Sequence, residues 1–191
     1  MGTIRPALVL FAVISVSAFL IGVMYNITRG PIAQQQLLRE TELIAEVLPG
    51  TVYVWEMPMF GDWFESFAPA EVTSIVQGLD EQGNLLGHVF TISTPGYAGP
   101  VVILVGSNMD NILTGVRILR HRETPGLGTA IQGADFLAQF EGRTETITVS
   151  RMASGENEIA ALASATISTV AVVNGVNAAI EMLESFGIVE R

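Results

Sequence analysis

The feature that most constrains this chain is an uncharged apolar run near its start. From Pro6 to Thr28 there is no ionisable acid or base, and Ala7 to Tyr25 is almost wholly apolar. At about 1.5 Å per residue, that segment spans roughly 28 Å as a helix, close to the thickness of a bilayer core. Eleven of its nineteen residues are Leu, Ile, Val or Phe. At about −0.3 to −0.6 kcal/mol each they supply roughly −3 to −7 kcal/mol towards insertion. Tyr25 stands where an interfacial anchor belongs. A cleaved signal peptide would need a shorter apolar core and a small-x-small cleavage site, and Val23-Met24-Tyr25-Asn26-Ile27 is a poor one. The expectation is an uncleaved single-span anchor, with residues 7–25 in lipid. Arg5 and the terminal amine precede it, and Arg29 and Arg39 follow. The reading is a short N-terminus inside and the domain outside.

Beyond the anchor the chain is acidic. Eight arginines face nineteen carboxylates, a charge of −11, and there is no Lys anywhere. Nothing draws the domain to anionic lipid, and the lack of a basic patch argues against nucleic acid as a partner. There is no Cys, which excludes disulfides, iron–sulfur clusters and thiol catalysis by this chain. With only His88 and His121, no multi-histidine metal site is available, and no metal residues are nominated.

Gly30-Pro31 is expected to break the anchor helix, with a second helix over Ile32 to Leu48 carrying Leu37, Leu38, Ile44, Ala45 and Leu48 at helical spacing. Pro49-Gly50 stops it. Thr51 to Pro69 is rich in aromatics: Tyr53, Trp55, Phe60, Trp63, Phe64 and Phe67. These residues are expected to pack on the domain or on partner subunits rather than to form a cofactor platform. Strand patterns follow. Val72 to Leu79 and Leu85 to Thr94 flank the turn Asp80–Asn84 as a hairpin. Pro95–Pro100 is a loop, Val101–Val105 a buried strand, and Ile112–Arg120 a further strand. Ala130 to Phe140 is expected to be helical, Thr144 to Val149 a strand, and Arg151 to Glu158 a polar loop. Ala165 to Phe186 is a long helix closed by Gly187. Strands followed by helices, in about 120 residues, make one α+β domain. The division is an anchor at 1–29, a helical and aromatic-rich connection at 30–70, and the domain at 71–191.

No nucleophile elbow, Walker loop or convincing dinucleotide fingerprint is present. Two stretches could carry chemistry. His121-Arg122-Glu123-Thr124-Pro125-Gly126-Leu127-Gly128 is either a costly turn or a binding surface made of backbone. Ala163-Ser164-Ala165-Thr166-Ile167-Ser168-Thr169 is either an N-cap cluster or an anion site, because free N–H groups and the helix dipole meet there.

Taken together, Gly96–Pro100 before a Val/Ile strand, His121–Gly128, Ala165–Thr169 and Asn174–Val176 resemble the membrane-anchored FMN-binding subunits of respiratory ion pumps. These are the G subunit of the Rnf complex and the C subunit of the sodium-translocating NADH:quinone reductase. The resemblance covers roughly Glu71 to Ser185 plus the anchor, and the Glu-Thr-Pro-Gly-Leu-Gly run is its most specific part. It implies an FMN-binding domain with a mainly antiparallel sheet flanked by helices. It implies an electron carrier rather than a stand-alone enzyme, acting in the inner (cytoplasmic) membrane with its domain on the extracytoplasmic side. The partners it implies are the other subunits of the complex and a flavin transferase.

In that family FMN is esterified through its phosphate to a threonine in a motif Asp-x-x-Ser/Thr-Gly-Ala-Thr. The acceptor aligns with Thr166, after Ala165. The motif's glycine is here Ser164, its Ser/Thr is Ala163 and its Asp is Ala160; Ser164 puts a Cβ where the chain can need φ > 0. Three outcomes follow: FMN esterified to Thr166, with Ser168 or Thr169 as lesser acceptors; FMN held without the bond; or a structural, assembly subunit that has lost its flavin. The implied cofactor-binding residues are Thr166, Glu123, Thr124, Gly126, Leu127, Gly128, Tyr97 and Ala165. The Thr124–Gly128 backbone is expected to border the ring, and the last helix's N-terminus to face the phosphate. Glu123 either holds the loop or touches the ring, where its charge would lower the flavin's potential. The short length and the absence of large insertions favour an Rnf-type complex.

Overall fold

The computed structural model of the chain describes residues 4–58, 67–153 and 155–189. Helix α1 runs unbroken from Ile4 to Val47. Its residues Ala7–Gly30 have a mean hydropathy of 2.7, and none is buried. The expected break at Gly30-Pro31 does not occur. Proline removes one helical N–H, but the clash that usually unseats the preceding residue involves that residue's Cβ, and Gly30 has none.

From Glu42 the chain forms a second compact unit. Its sheet has five antiparallel strands in sequence order: β1 (Tyr53–Glu56), β2 (Glu71–Leu79), β3 (Leu85–Pro95), β4 (Pro100–Asn108) and β5 (Leu113–Arg120). The mainly antiparallel α+β arrangement is as expected. On one face Phe90, Ile92, Ile103, Val105, Val116 and Ile118 pack against Val172, Val176, Ala179, Ile180 and Leu183 of α3 (Thr166–Val189). On the other, Val89 and Leu104 meet Ile44, Val47 and Leu48 from the end of α1. Burial on both faces explains why β4 is a continuous apolar run rather than an alternating one. The last turn of α1 sits directly on the sheet. A Cβ at Gly106 would strike the Val47 carbonyl, which accepts from Thr114 Oγ1. Arg117 pairs with Glu46 beside it at 2.8 Å.

Three expected elements differ. The helix over Ala130–Phe140 is instead a 3-10 turn (Gly128–Gln132), a four-residue α2 (Ala134–Leu137) and a second 3-10 turn (Ala138–Phe140). Gly133, extended at φ −63°, ψ 134°, separates the first two. The strand over Thr144–Val149 shrinks to β6 (Thr148–Ser150), paired in parallel with β7 (Glu158–Ala160). The reason is Asn177 of α3. Its side-chain amide accepts from Ile147 N–H at 2.8 Å and donates to Ile147 C=O at 2.9 Å, taking both groups from any ladder. Third, α3 continues through Gly187 to Val189.

In the aromatic segment, Phe67 packs on the core, whereas Tyr53 and Trp55 are exposed on β1. Phe60, Trp63 and Phe64 lie outside the described residues.

Candidate functional site

Three separate stretches converge on one carboxylate. After β3, Gly96 N–H closes a turn onto Gly99 C=O at 3.0 Å. That turn leaves the N–H groups of Tyr97 and Ala98 free to bond Glu123 Oε1, at 2.8 and 3.3 Å. Glu123 lies just past the end of β5, and its own N–H donates to His121 Nδ1 at 3.1 Å. Its other oxygen, Oε2, accepts from Ser168 Oγ of α3 at 2.7 Å. The side chain is buried, with 5% exposure. Burying a carboxylate is costly unless it is hydrogen-bonded, and here three donors reach it.

The glycines on either side are shaped by that group. A Cβ at Gly96 would collide with Glu123 Oε1, and one at Gly128 would lie 2.6 Å from Oε2. Between Glu123 and Gly128 the chain makes a tight turn. Leu127 N–H bonds Thr124 C=O at 3.2 Å, Gly126 sits at φ +80°, and its N–H donates to Thr129 Oγ1 at 3.0 Å.

The opposite wall is the start of α3. Ala165 precedes the helix and offers no side-chain acceptor, so the first N–H groups of α3 have no N-cap side chain. Thr166 is exposed at the first helical position. Ser168 and Thr169 are buried, at 2% and 0% exposure. Ser168 is bound to Glu123, while Thr169 Oγ1 donates to Ala165 C=O at 3.0 Å and accepts from Leu162 N–H at 3.2 Å. Ser164 adopts φ +64°. The backbone at this position takes the left-handed form that suits glycine, although the residue is serine.

Between the walls lies a cleft of about 410 Å³, lined by Tyr97, Glu123, Thr124, Leu127, Gly128 and residues 164–168. Its volume falls in the usual range for small-molecule sites, about 300–1,000 Å³. Of the eight residues that the sequence nominates, seven line this cleft; Gly126 shapes the turn behind Leu127 instead. Ile167, Ser164 and Ser168 also line it and are not among the eight; their adjacency to Thr166 on a helix start was the available signal. Tyr97, Ile167 and Leu127 are large apolar side chains at 70%, 54% and 50% exposure. An apolar rim above an uncapped helix N-terminus suits a ligand that has a flat aromatic end and an anionic end, as FMN has. Among the described residues, no cluster of His, Asp and Glu could hold a metal ion.

Comparison with known proteins points the same way. The model of the FMN-binding domain family matches residues 96–181, which include both walls of the cleft. The G subunit of the Na+-translocating ferredoxin:NAD+ oxidoreductase complex of Acetobacterium woodii is 31% identical over 191 residues, covering 95% of this chain and 91% of that protein. The G subunit of the ion-translocating oxidoreductase complex of Methanosarcina acetivorans is 28% identical, covering 95% of each. In fold, the chain is similar to the crystal structure of the C subunit of the Na+-translocating NADH-quinone reductase from Parabacteroides distasonis. The TM-score is 0.50 at 18% identity, covering 70% of this chain and 78% of that one. The family resemblance read from Gly96–Pro100, His121–Gly128, Ala165–Thr169 and Asn174–Val176 is matched by relatives covered over nearly their whole length, and the chain belongs to the G-subunit family of ion-translocating oxidoreductase complexes.

Proposed function

We propose that this chain is the electron-carrying FMN subunit of an Rnf-type, ion-translocating oxidoreductase, with the flavin esterified to Thr166. The observation that carries the reading is the state of the hydroxyls at the start of α3. Thr166 is exposed in the cleft, while Ser168 and Thr169 are buried and committed to internal bonds. Ser168 and Thr169 are thereby set aside as acceptors. The φ of +64° at Ser164 adds support, since the glycine-like backbone before the acceptor persists without the glycine.

Bound FMN supplies the redox chemistry, and the protein supplies position and surroundings. Thr166 holds the phosphate end, beside the free N–H groups and the positive dipole end of α3. Tyr97, Leu127 and Ile167 shield the ring from water, and Thr124 with the backbone of residues 126–128 borders it. Glu123 holds the loops. In the attachment step the Thr166 Oγ would bond the flavin's phosphorus, the anhydride P–O bond of a flavin phosphoanhydride donor would break, and the donor's other phosphate half would leave with that bond's electron pair. The hydroxyl proton leaves to a base on the flavin transferase. The partners are the other subunits of the complex, and residues 7–25 hold the chain in the cytoplasmic membrane as a single span with the domain outside.

The test is in-gel flavin fluorescence. The chain is made with its transferase, denatured and run on a gel. A fluorescent band is expected at its mass; it should vanish in Thr166→Ala and persist in Ser164→Ala. A dark wild-type chain inside an active complex would instead support an assembly role. Topology is tested separately. With no native Cys, a single cysteine at Gly83 in the Asp80–Asn84 turn should react with an impermeant thiol reagent in intact cells. Labelling only after lysis would reverse the orientation.

A further inference from the structure

We infer that Glu123 is a positioning residue whose length holds the two walls of the cleft in register. The inference rests on the FMN reading for its purpose but not for its geometry. One carboxylate ties the Gly96–Ala98 turn, through Tyr97 and Ala98 N–H, to the first turn of α3, through Ser168 Oγ. Ser168 lies two residues past Thr166. The segment that flanks the ring and the helix that carries the attachment hydroxyl are therefore joined through a single side chain. Its neighbours make room for it. Gly96 and Gly128 are both sites where a Cβ would strike a carboxylate oxygen, and the Gly128 Cβ would also lie 3.1 Å from Ser168 Oγ. Three donors from two walls already occupy three of its roughly four acceptor positions.

Reach and charge make different demands. Gln keeps the length. Its Oε1 accepts from the same two N–H groups, and its Nε2 donates to the Ser168 hydroxyl. Asp keeps the charge but is shorter by one carbon–carbon bond, about 1.5 Å. It cannot hold the 2.7 Å bond to Ser168 and the 2.8 Å bond to Tyr97 together within hydrogen-bond range.

The experiment uses the full chain in detergent, made without and with the flavin transferase. In the flavin-free form, amide exchange at Tyr97 and Ala98 should quicken tenfold or more in Glu123→Asp and stay within twofold of wild type in Glu123→Gln. Ser168→Ala, which leaves Glu123 in place, should give an intermediate rise. In the loaded form, flavin content should fall at least fivefold further in Glu123→Asp than in Glu123→Gln. The inference is overturned if Asp behaves as wild type. It is equally overturned if Glu123→Gln exposes the amides as much as Glu123→Asp does, because charge and not length would then set the register. If the wild-type chain takes up no flavin, the FMN reading fails, and the exchange measurements still decide the role of Glu123.

Discussion

The two walls of the cleft are built on opposite plans. The loop wall, Gly96–Ala98 with Glu123–Gly128, is saturated: its buried carboxylate has three donors, and two glycines clear the space around it. The helix wall, 163–169, is open: Thr166 is exposed, the helix start lacks a capping side chain, and Ser164 holds a backbone conformation that suits glycine. Around Glu123 the first wall has no spare volume, and the other wall carries local strain, so mutations at Gly96 or Gly128 should damage the first while Ser164 variants can improve the second.

Gly128→Ala is the largest test of that contrast. Its Cβ would lie 2.6 Å from Glu123 Oε2 and 2.7 Å from Glu123 Cβ. Overpacking of this kind costs about 1–3 kcal/mol, a fall of roughly 4–8 °C in Tm for a 2 kcal/mol loss in a chain of this size. Thermal unfolding of the detergent-solubilised chain measures it. Ser164→Gly should have the opposite sign. Relief of the left-handed strain, less the extra freedom glycine gives the unfolded chain, leaves a gain of about 0.5–1 kcal/mol. The same sign for both variants would break the comparison. Thr129→Ala removes the acceptor for Gly126 N–H in the turn of the loop wall, and there water can substitute. Its expected cost is only about 0.5 kcal/mol.

The smallest effect isolates burial. Asp80 also gathers three donors, from Gln82 N–H, Asn84 N–H and Asn84 Nδ2 at 2.9, 2.8 and 2.9 Å, but it does so in water. The Asn84 side-chain bond, followed by the Asn84 backbone bond, holds its carboxyl below the ordinary 3.8. Because its folded value is depressed, its contribution is present above about pH 3.8 and is lost as pH falls through the lower folded value. Asp80→Asn should lower stability slightly across the neutral range and flatten the acid limb of the stability–pH profile, where the wild type loses the same contribution.

What the sequence made legible follows from period. β2 to β5 came out near their bounds because alternation, or its absence in β4, reports which faces are covered. Cleft residues such as Thr124, Leu127 and Thr166 were legible as a motif. Long-range pairing of side chain with backbone was not legible. Nothing in Thr144–Val149 announces that Asn177, 30 residues on from Ile147, takes that residue's peptide groups. Nothing local says that Glu123 binds amides 25 and 26 residues earlier and a hydroxyl 45 residues later. Pro31 shows the opposite error. The local rule that proline breaks a helix gives no weight to the glycine before it, and α1 runs on.

The edge strand β1 has a practical consequence for handling the protein. Val52, Tyr53, Val54 and Trp55 are all at least 46% exposed, so both faces of the strand meet water, and its outer side is an unpaired ladder among the described residues. Such an edge is a template for a second copy. In a shortened version starting at Glu42 and freed of the apolar helix, sample quality would be governed by this strand rather than by the flavin cleft. A lysine in place of Val54 is the simplest way to keep such a preparation monodisperse without touching either wall of the site.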